Sequence, residues 1–233
     1  MTKAVIPEYL GKAQQIIIVL TEDWHSFHSR LYLGERKNGA WQVINCFPAV
    51  CGRAGLAWGL GLYPQNPAVQ PQPAKVEGDQ KTPAGIFRLG KCLGYAPQLT
   101  VNPDLPYQQL TKDFQGVDDP ASRYYNQVVD TAQLRKDVAI DWKSYEIMRR
   151  DDELYKWLLV IEHNPENLPG AGSLIFMHIW ENQDQATAGC TGVAEASLLE
   201  LLGWLDRSAN PVLVQLPQEI YNEKLSEWGL PLL

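Results

Sequence analysis

Cysteine is scarce in this chain: four stand among 233 residues, at Cys46, Cys51, Cys92 and Cys190, with no C-x-x-C pair. A disulfide-stapled scaffold is therefore excluded for a chain of this length. Cys46 and Cys51 are close enough in sequence to pair or to share a metal; the expectation is two buried free thiols. Basic residues are outnumbered, with 20 Lys and Arg against 27 Asp and Glu and a net charge of −7. Neutralising phosphates needs a surplus of cations, so no nucleic-acid partner is expected. Long apolar runs are missing too. The longest near the start is Ile16 to Leu20, preceded by Pro7, Glu8, Lys12, Gln14 and Gln15. It is too short for a membrane span and lacks the basic region and cleavage site of a signal peptide, so no integral membrane protein is expected. The expectation is a chain that stays in the cell or is exported with a segment this sequence does not carry.

What is present is a globular composition. Apolar residues make up 45% and charged residues 20%, which excludes disorder. Gly 18 and Pro 16 supply many turns, and Trp 8 with Tyr 10 supply a large core. Asn38-Gly39 between Ser29–Arg36 and Ala40–Phe47 predicts a type I′ hairpin, with Leu31, Leu33, Trp41 and Val43 on a buried face. Ile16 to Leu20, Ile86 to Leu89, Tyr124 to Asp130, Trp157 to Glu162, Ser173 to Trp180 and Val212 to Leu216 read as strands. The Gly- and Pro-rich stretch from Gly52 to Asp79 reads as an extended loop in which Trp58, Leu60, Leu62 and Tyr63 want burial, and 97–106 as another. Ser144 to Arg149 reads as a short helix. Leu198, Leu201, Leu202 and Leu205 give one apolar face of a second, with Gly192 as N-cap and Glu195 in its first turn. The fold class is mainly β with a few helices.

The chemistry concentrates after one strand. Twelve residues separate His178, in Met177-His178-Ile179-Trp180, from Cys190, in Gly189-Cys190-Thr191-Gly192. A strand that leaves and a loop that returns can bring an imidazole to a thiol. A free thiol is only about 3% thiolate at pH 7, and an imidazolium or a following helix N-terminus favours the anion. Gly189 leaves room for a carbonyl, and backbone N–H groups could face its oxyanion. The competing reading is a buried structural thiol beside an ordinary hydrogen-bonded histidine. His163, His178 and Cys190 could also supply three metal ligands, but no close-spaced pair supports it.

A second stretch, Gly78-Asp79-Gln80-Lys81-Thr82-Pro83-Ala84-Gly85-Ile86-Phe87, runs from loop to strand. Together with His178 and Thr187-Ala188-Gly189-Cys190, it resembles the L,D-transpeptidase catalytic domain of the YkuD type. The first stretch matches that family's G-D-x-x-T-P-x-G-x-F segment and the second its S-H-G-C-x-R signature. Thr187 stands for the usual Ser, Ala188 for a second His and Gly192 for the Arg. The H-I-W and T-A-G-C-T segments resemble a divergent branch, in which Glu162-His163-Asn164 and Tyr125 to Asp130 recur. The resemblance covers roughly 14–217, leaving 1–13 as an N-terminal extension and 218–233 as a C-terminal tail, and implies a β-sandwich or barrel with a helix after the cysteine.

It further implies cysteine acyl transfer on peptidoglycan stem peptides, with export to the periplasm or cell envelope. Cys190 would form a thioester and His178 would move the proton. A second stem or a lipoprotein lysine would be the acceptor. Gly189, Thr187, Thr191 and Trp180 would bind substrate or its oxyanion, while His163, Asp79 and Thr82 would support the site. A backbone carbonyl would orient the histidine, and no metal or organic cofactor is needed. Two other classes stay open: a hydrolase of the same fold, and a non-catalytic cell-wall-binding module using exposed Trp58 and Trp180.

Overall fold

A computed structural model describes residues 7–63, 73–134 and 139–233. The chain runs α1 (Glu8–Lys12), β1 (Gln15–Thr21), β2 (His28–Lys37), β3 (Ala40–Val50), β4 (Leu56–Trp58), β5 (Thr82–Gly94), β6 (Tyr107–Gln109), β7 (Phe114–Val117), β8 (Gln127–Asp130) and β9 (Tyr145–Ile147). It continues through β10 (Trp157–Ile161), β11 (Phe176–Ile179), β12 (Thr191–Val193), α2 (Glu195–Trp204), β13 (Val212–Pro217) and α3 (Gln218–Trp228). Mainly β is the observed class.

The large sheet runs β10-β11-β12-β3-β2-β1-β13-β5, and β10 pairs β5 again, so it closes on itself. Closure removes the free edges that an open sheet would expose. Strand β5 makes it possible because different stretches of its length take different partners. Thr82 to Ala84 pair with β4, Gly85 to Arg88 with β13 and Leu89 to Gly94 with β10. Strand β1 is buried along its whole length, as its apolar run requires. The type I′ turn forms, with positive φ at Asn38 and Gly39. A register shift after Leu33 puts Val43 out of phase, leaving it 39% exposed instead of buried.

A small sheet, β8-β7-β9, lies beside the barrel. Phe114 of β7 and Met148, just after β9, meet Leu93, Leu158, Leu174, Phe176 and Cys190 in a separate apolar cluster, whereas Met177 and Ile179 belong to the main core. The strand period of two accounts for this division. Phe176 and His178 face the small sheet, and Met177 and Ile179 face the other way.

Two local expectations are corrected. The stretch from Ser144 to Arg149 is no helix: Tyr145–Ile147 is strand β9, paired with β7. Tyr145 and Ile147 favour an extended backbone, and the edge of β7 satisfies its hydrogen bonds. Gly192 is no N-cap. It lies inside β12 opposite His178 and Val50, and α2 starts only after Ala194. A Cβ at Gly192 would come 2.9 Å from Val50 Cγ2 and 3.1 Å from Trp180 Cβ, so glycine here serves close packing. Part of the expected Pro-rich loop, including Pro64, Pro67 and Pro71, lies outside the described residues; its flank 56–58 is the buried strand β4.

Candidate active site

Parallel pairing of β11 with β12 sets Met177 against Thr191 and His178 against Gly192. Cys190, one residue before β12, therefore shares a face with Phe176 and His178. Its Sγ accepts a hydrogen bond from Phe176 N–H at 3.3 Å, and the thiol donates to Leu174 O at 3.5 Å. The His178 Nδ1–H donates to Ile179 O at 2.7 Å, a backbone carbonyl in the orienting position. That bond fixes the tautomer and leaves the Nε2 lone pair free. No hydrogen bond joins Cys190 to His178. Tyr155 packs edge-on to the imidazole, with ring centroids 5.3 Å apart, and its hydroxyl donates to Glu146 Oε2 at 2.8 Å.

Electrostatics at rest differ from the sequence expectation. Burial, reinforced by the Glu146 charge, pushes the Cys190 thiol up to about 12. Burial also pulls His178 down to about 4. Both groups are neutral at pH 7. No helix dipole offsets this, because β12 stands between Cys190 and α2.

The two sequence motifs meet at the nucleophile. Thr82 Oγ1 accepts from Gly52 N–H at 2.7 Å and donates to Cys190 O at 3.1 Å. Thr187 Oγ1 donates to the same carbonyl at 2.6 Å and accepts from Gly189 N–H at 3.1 Å. Gly189 has φ +150, and a Cβ there would lie 3.1 Å from Lys81 O. Gly189 and Thr187 thus shape the loop, and the N–H of Gly189 is already committed. Thr191 is fully buried on the other face, bonded to Gln215, so it is part of the core. Trp180 is half-buried and pairs through its N–H with Val193 O at 2.9 Å.

The remaining expected residues form the support. Asp79 accepts from Lys75 Nζ at 2.5 Å, Val76 N–H at 3.0 Å and Lys81 N–H at 2.9 Å. His163 is buried; its Nδ1 accepts from Leu60 N–H at 3.1 Å and its Nε2–H donates to Ala171 O at 2.9 Å. With both nitrogens occupied and the ring pulled down to about 4 by burial, it braces a loop. Asn164 and Asn126 complete that brace: Asn164 Nδ2 holds Leu168 O and Gly172 O, and Asn126 Oδ1 accepts from Leu174 N–H at 2.9 Å. Leu174 sits at φ 53, a costly conformation for its side chain, and its carbonyl faces the thiol.

No cluster able to hold a metal occurs among the described residues. All four cysteines are free; Cys51 is buried as expected, whereas Cys46, within β3, is only half-buried. Trp58 is 5% exposed, which removes it as a surface binding residue. Sequence reasoning missed Tyr155 and Glu146. No motif or periodicity marks either residue, and the stretch that carries Glu146, now strand β9 of the small sheet, was read as helix.

The profile of the YkuD L,D-transpeptidase catalytic domain matches residues 28–214. The chain belongs to that family. It is thus a member of a peptidoglycan-directed L,D-transpeptidase family, with a β-barrel of the expected kind. Comparison with curated proteins found no match. A solved structure, that of Bdellovibrio bacteriovorus Bd1075, is similar at 16% identity and a TM-score of 0.42; the alignment covers 91% of this chain and 50% of that one. This YkuD-family chain therefore spans about half the length of that structure. No helix among the described residues is long and apolar enough to cross a membrane.

Proposed function

We propose that the protein is a cysteine acyltransferase acting on peptidoglycan stem peptides, working at the cell envelope. One observation carries the reading: Cys190 and His178 share one face of paired strands, with the imidazole locked by Ile179 O so that Nε2 is the free base. Family membership supplies the substrate class.

The neutral resting pair sets the order of events. His178 Nε2 takes the thiol proton as Cys190 Sγ attacks the carbonyl of an L,D-peptide bond. The imidazolium then protonates the leaving amine, the terminal D-amino acid departs, and a thioester remains on Cys190. An amine from a second stem or a lipoprotein lysine attacks that thioester and restores the thiol. The chemistry needs no metal or organic cofactor.

The test is intact-mass spectrometry after incubation with a stem tetrapeptide. A single acyl adduct on the peptide containing Cys190 is expected, and none in Cys190→Ser. An adduct that persists in Cys190→Ser, mapped to Cys46, Cys51 or Cys92, overturns the assignment.

A further inference from the structure

The acyl-transfer reading leaves one charged side chain of the site without a task. Glu146 points inward from β9, and its neighbours Tyr145 and Ile147 are 46% and 58% exposed. Its Oε2 accepts from the Tyr155 hydroxyl, and among the described residues no hydrogen bond reaches its Oε1. Tyr155 stands between this carboxylate and the reacting pair, in contact with His178 on one side and within electrostatic reach of Cys190. The groups that face Glu146 are mostly acidic. Among the described residues, Asp118 and Glu77 act on it with like charge and Arg150 opposes them, and that guanidinium is held bidentate by Asp152. Glu77 is bound to the Tyr125 hydroxyl, and Asp118 has a buried Oδ1 with no partner. A carboxylate so placed hinders thiolate formation, so it is costly for the acylation step. It suits a cation arriving afterwards.

We infer that Glu146 is the acceptor-side catalytic residue: it binds the ammonium of an amine acyl acceptor through its free Oε1 and takes one proton from it. The inference rests on the acyl-transfer reading and deepens it by assigning the residue that receives the amine acceptor and takes its proton. The proton balance closes. An ammonium gives one proton to the Glu146 carboxylate and becomes the free amine. The amine nitrogen attacks the thioester carbonyl, and its second proton passes to His178 Nε2. The carbon–sulfur bond breaks, the imidazolium protonates the Cys190 sulfur, and Glu146 releases its proton to solvent. The net products are an amide, the free thiol and one proton. Burial and the like charges of Asp118 and Glu77 raise the affinity of Glu146 for that proton, which favours the transfer.

The experiment follows decay of the Cys190 acyl-enzyme with two acceptors at pH 7. One is an ammonium-bearing amino-acid amide; the other is hydroxylamine, which is uncharged at that pH. Glu146→Gln should slow transfer to the charged acceptor by at least about 100-fold, the loss typical of a removed general base, and transfer to hydroxylamine far less. Equal losses with both acceptors would mean Glu146 serves only packing. Should Glu146→Gln fail to fold, the native enzyme still decides. Its preference for the charged acceptor over hydroxylamine should exceed that of a small-molecule thioester in free solution, and an equal ratio overturns the inference. Absence of any acyl-enzyme would instead refute the acyl-transfer reading, so the two failures are distinguishable.

Discussion

A thiol pushed up to about 12 and an imidazole pulled down to about 4 hold no ion pair at pH 7, so the proton must move during attack. His178→Ala should therefore lose at least about 100-fold in acylation rate at pH 7. Its residual rate should climb about tenfold per pH unit without levelling up to pH 10, because hydroxide alone then makes the thiolate. Stopped-flow acylation across that range checks it; a plateau near the ordinary cysteine value, about 8.5, would mean the thiol is not buried as described. Gly192 carries a second residue-scale prediction. The sequence resemblance sets it against the family's Arg, and Val50 Cγ2 and Trp180 Cβ leave no room for a Cβ. Gly192→Arg should destabilise by about 1–3 kcal/mol, the usual cost of overpacking, measured by urea unfolding. Unchanged stability would show that β12 can yield there.

The loop between β10 and β11 is an element built from polar residues. His163, Asn164 and Asn126 place Leu174 at its left-handed φ of 53, and Leu174 O receives the thiol. The brace needs a neutral His163. Its folded value is about 4 against the ordinary 6.5, and His178 matches it. Between those values the unfolded chain binds protons that the folded chain refuses, so stability falls as pH drops from about 6.5 to about 4. By linkage the loss is on the order of 3 kcal/mol per histidine. Urea unfolding at pH 7, 5.5 and 4 measures the slope, and His163→Gln should flatten it by about half. An unaltered slope would remove His163 from the brace. The sequence displayed this element only in part. Strands with an apolar run or a clear turn, such as β1, β10, β13 and the Asn-Gly hairpin, were legible because their pattern is local. Strands β9 and β12 were not: three residues each, they exist because a neighbouring strand offers its edge. Cys190, His178 and Thr82 were legible as motif members, whereas Glu146 and Tyr155 reach the site only through the small sheet that long-range pairing creates.

Closure of the barrel depends on contacts far apart in sequence, and its outer wall is one of them. α3 packs on β1 and β13, the central parallel pair. Its Tyr221 and Trp228 are 1% and 0% exposed, and Leu230 just beyond is 7% exposed. Trp228 packs on Tyr63 with ring centroids 4.7 Å apart, and the indole of Trp41 donates to Gly229 O at 2.9 Å, tying the hairpin to the helix end. The Tyr221 hydroxyl donates to Pro231 O at 2.8 Å. Fully burying a large apolar side chain contributes about 1.5–3 kcal/mol, so these three supply on the order of 6 kcal/mol. That is a large share of the 5–15 kcal/mol that keeps a typical domain folded. A chain ending at residue 217 would leave the outer face of β1 and β13 in water, apolar and flat, which also invites association. Such a truncated chain should therefore lack a cooperative thermal transition or be recovered only as aggregate, whereas the full chain unfolds in one step. Near-UV circular dichroism and scanning calorimetry of the two chains side by side decide it. A truncated protein that melts cooperatively within a few degrees of the full chain would show that the barrel holds its β1–β13 seam without the helix.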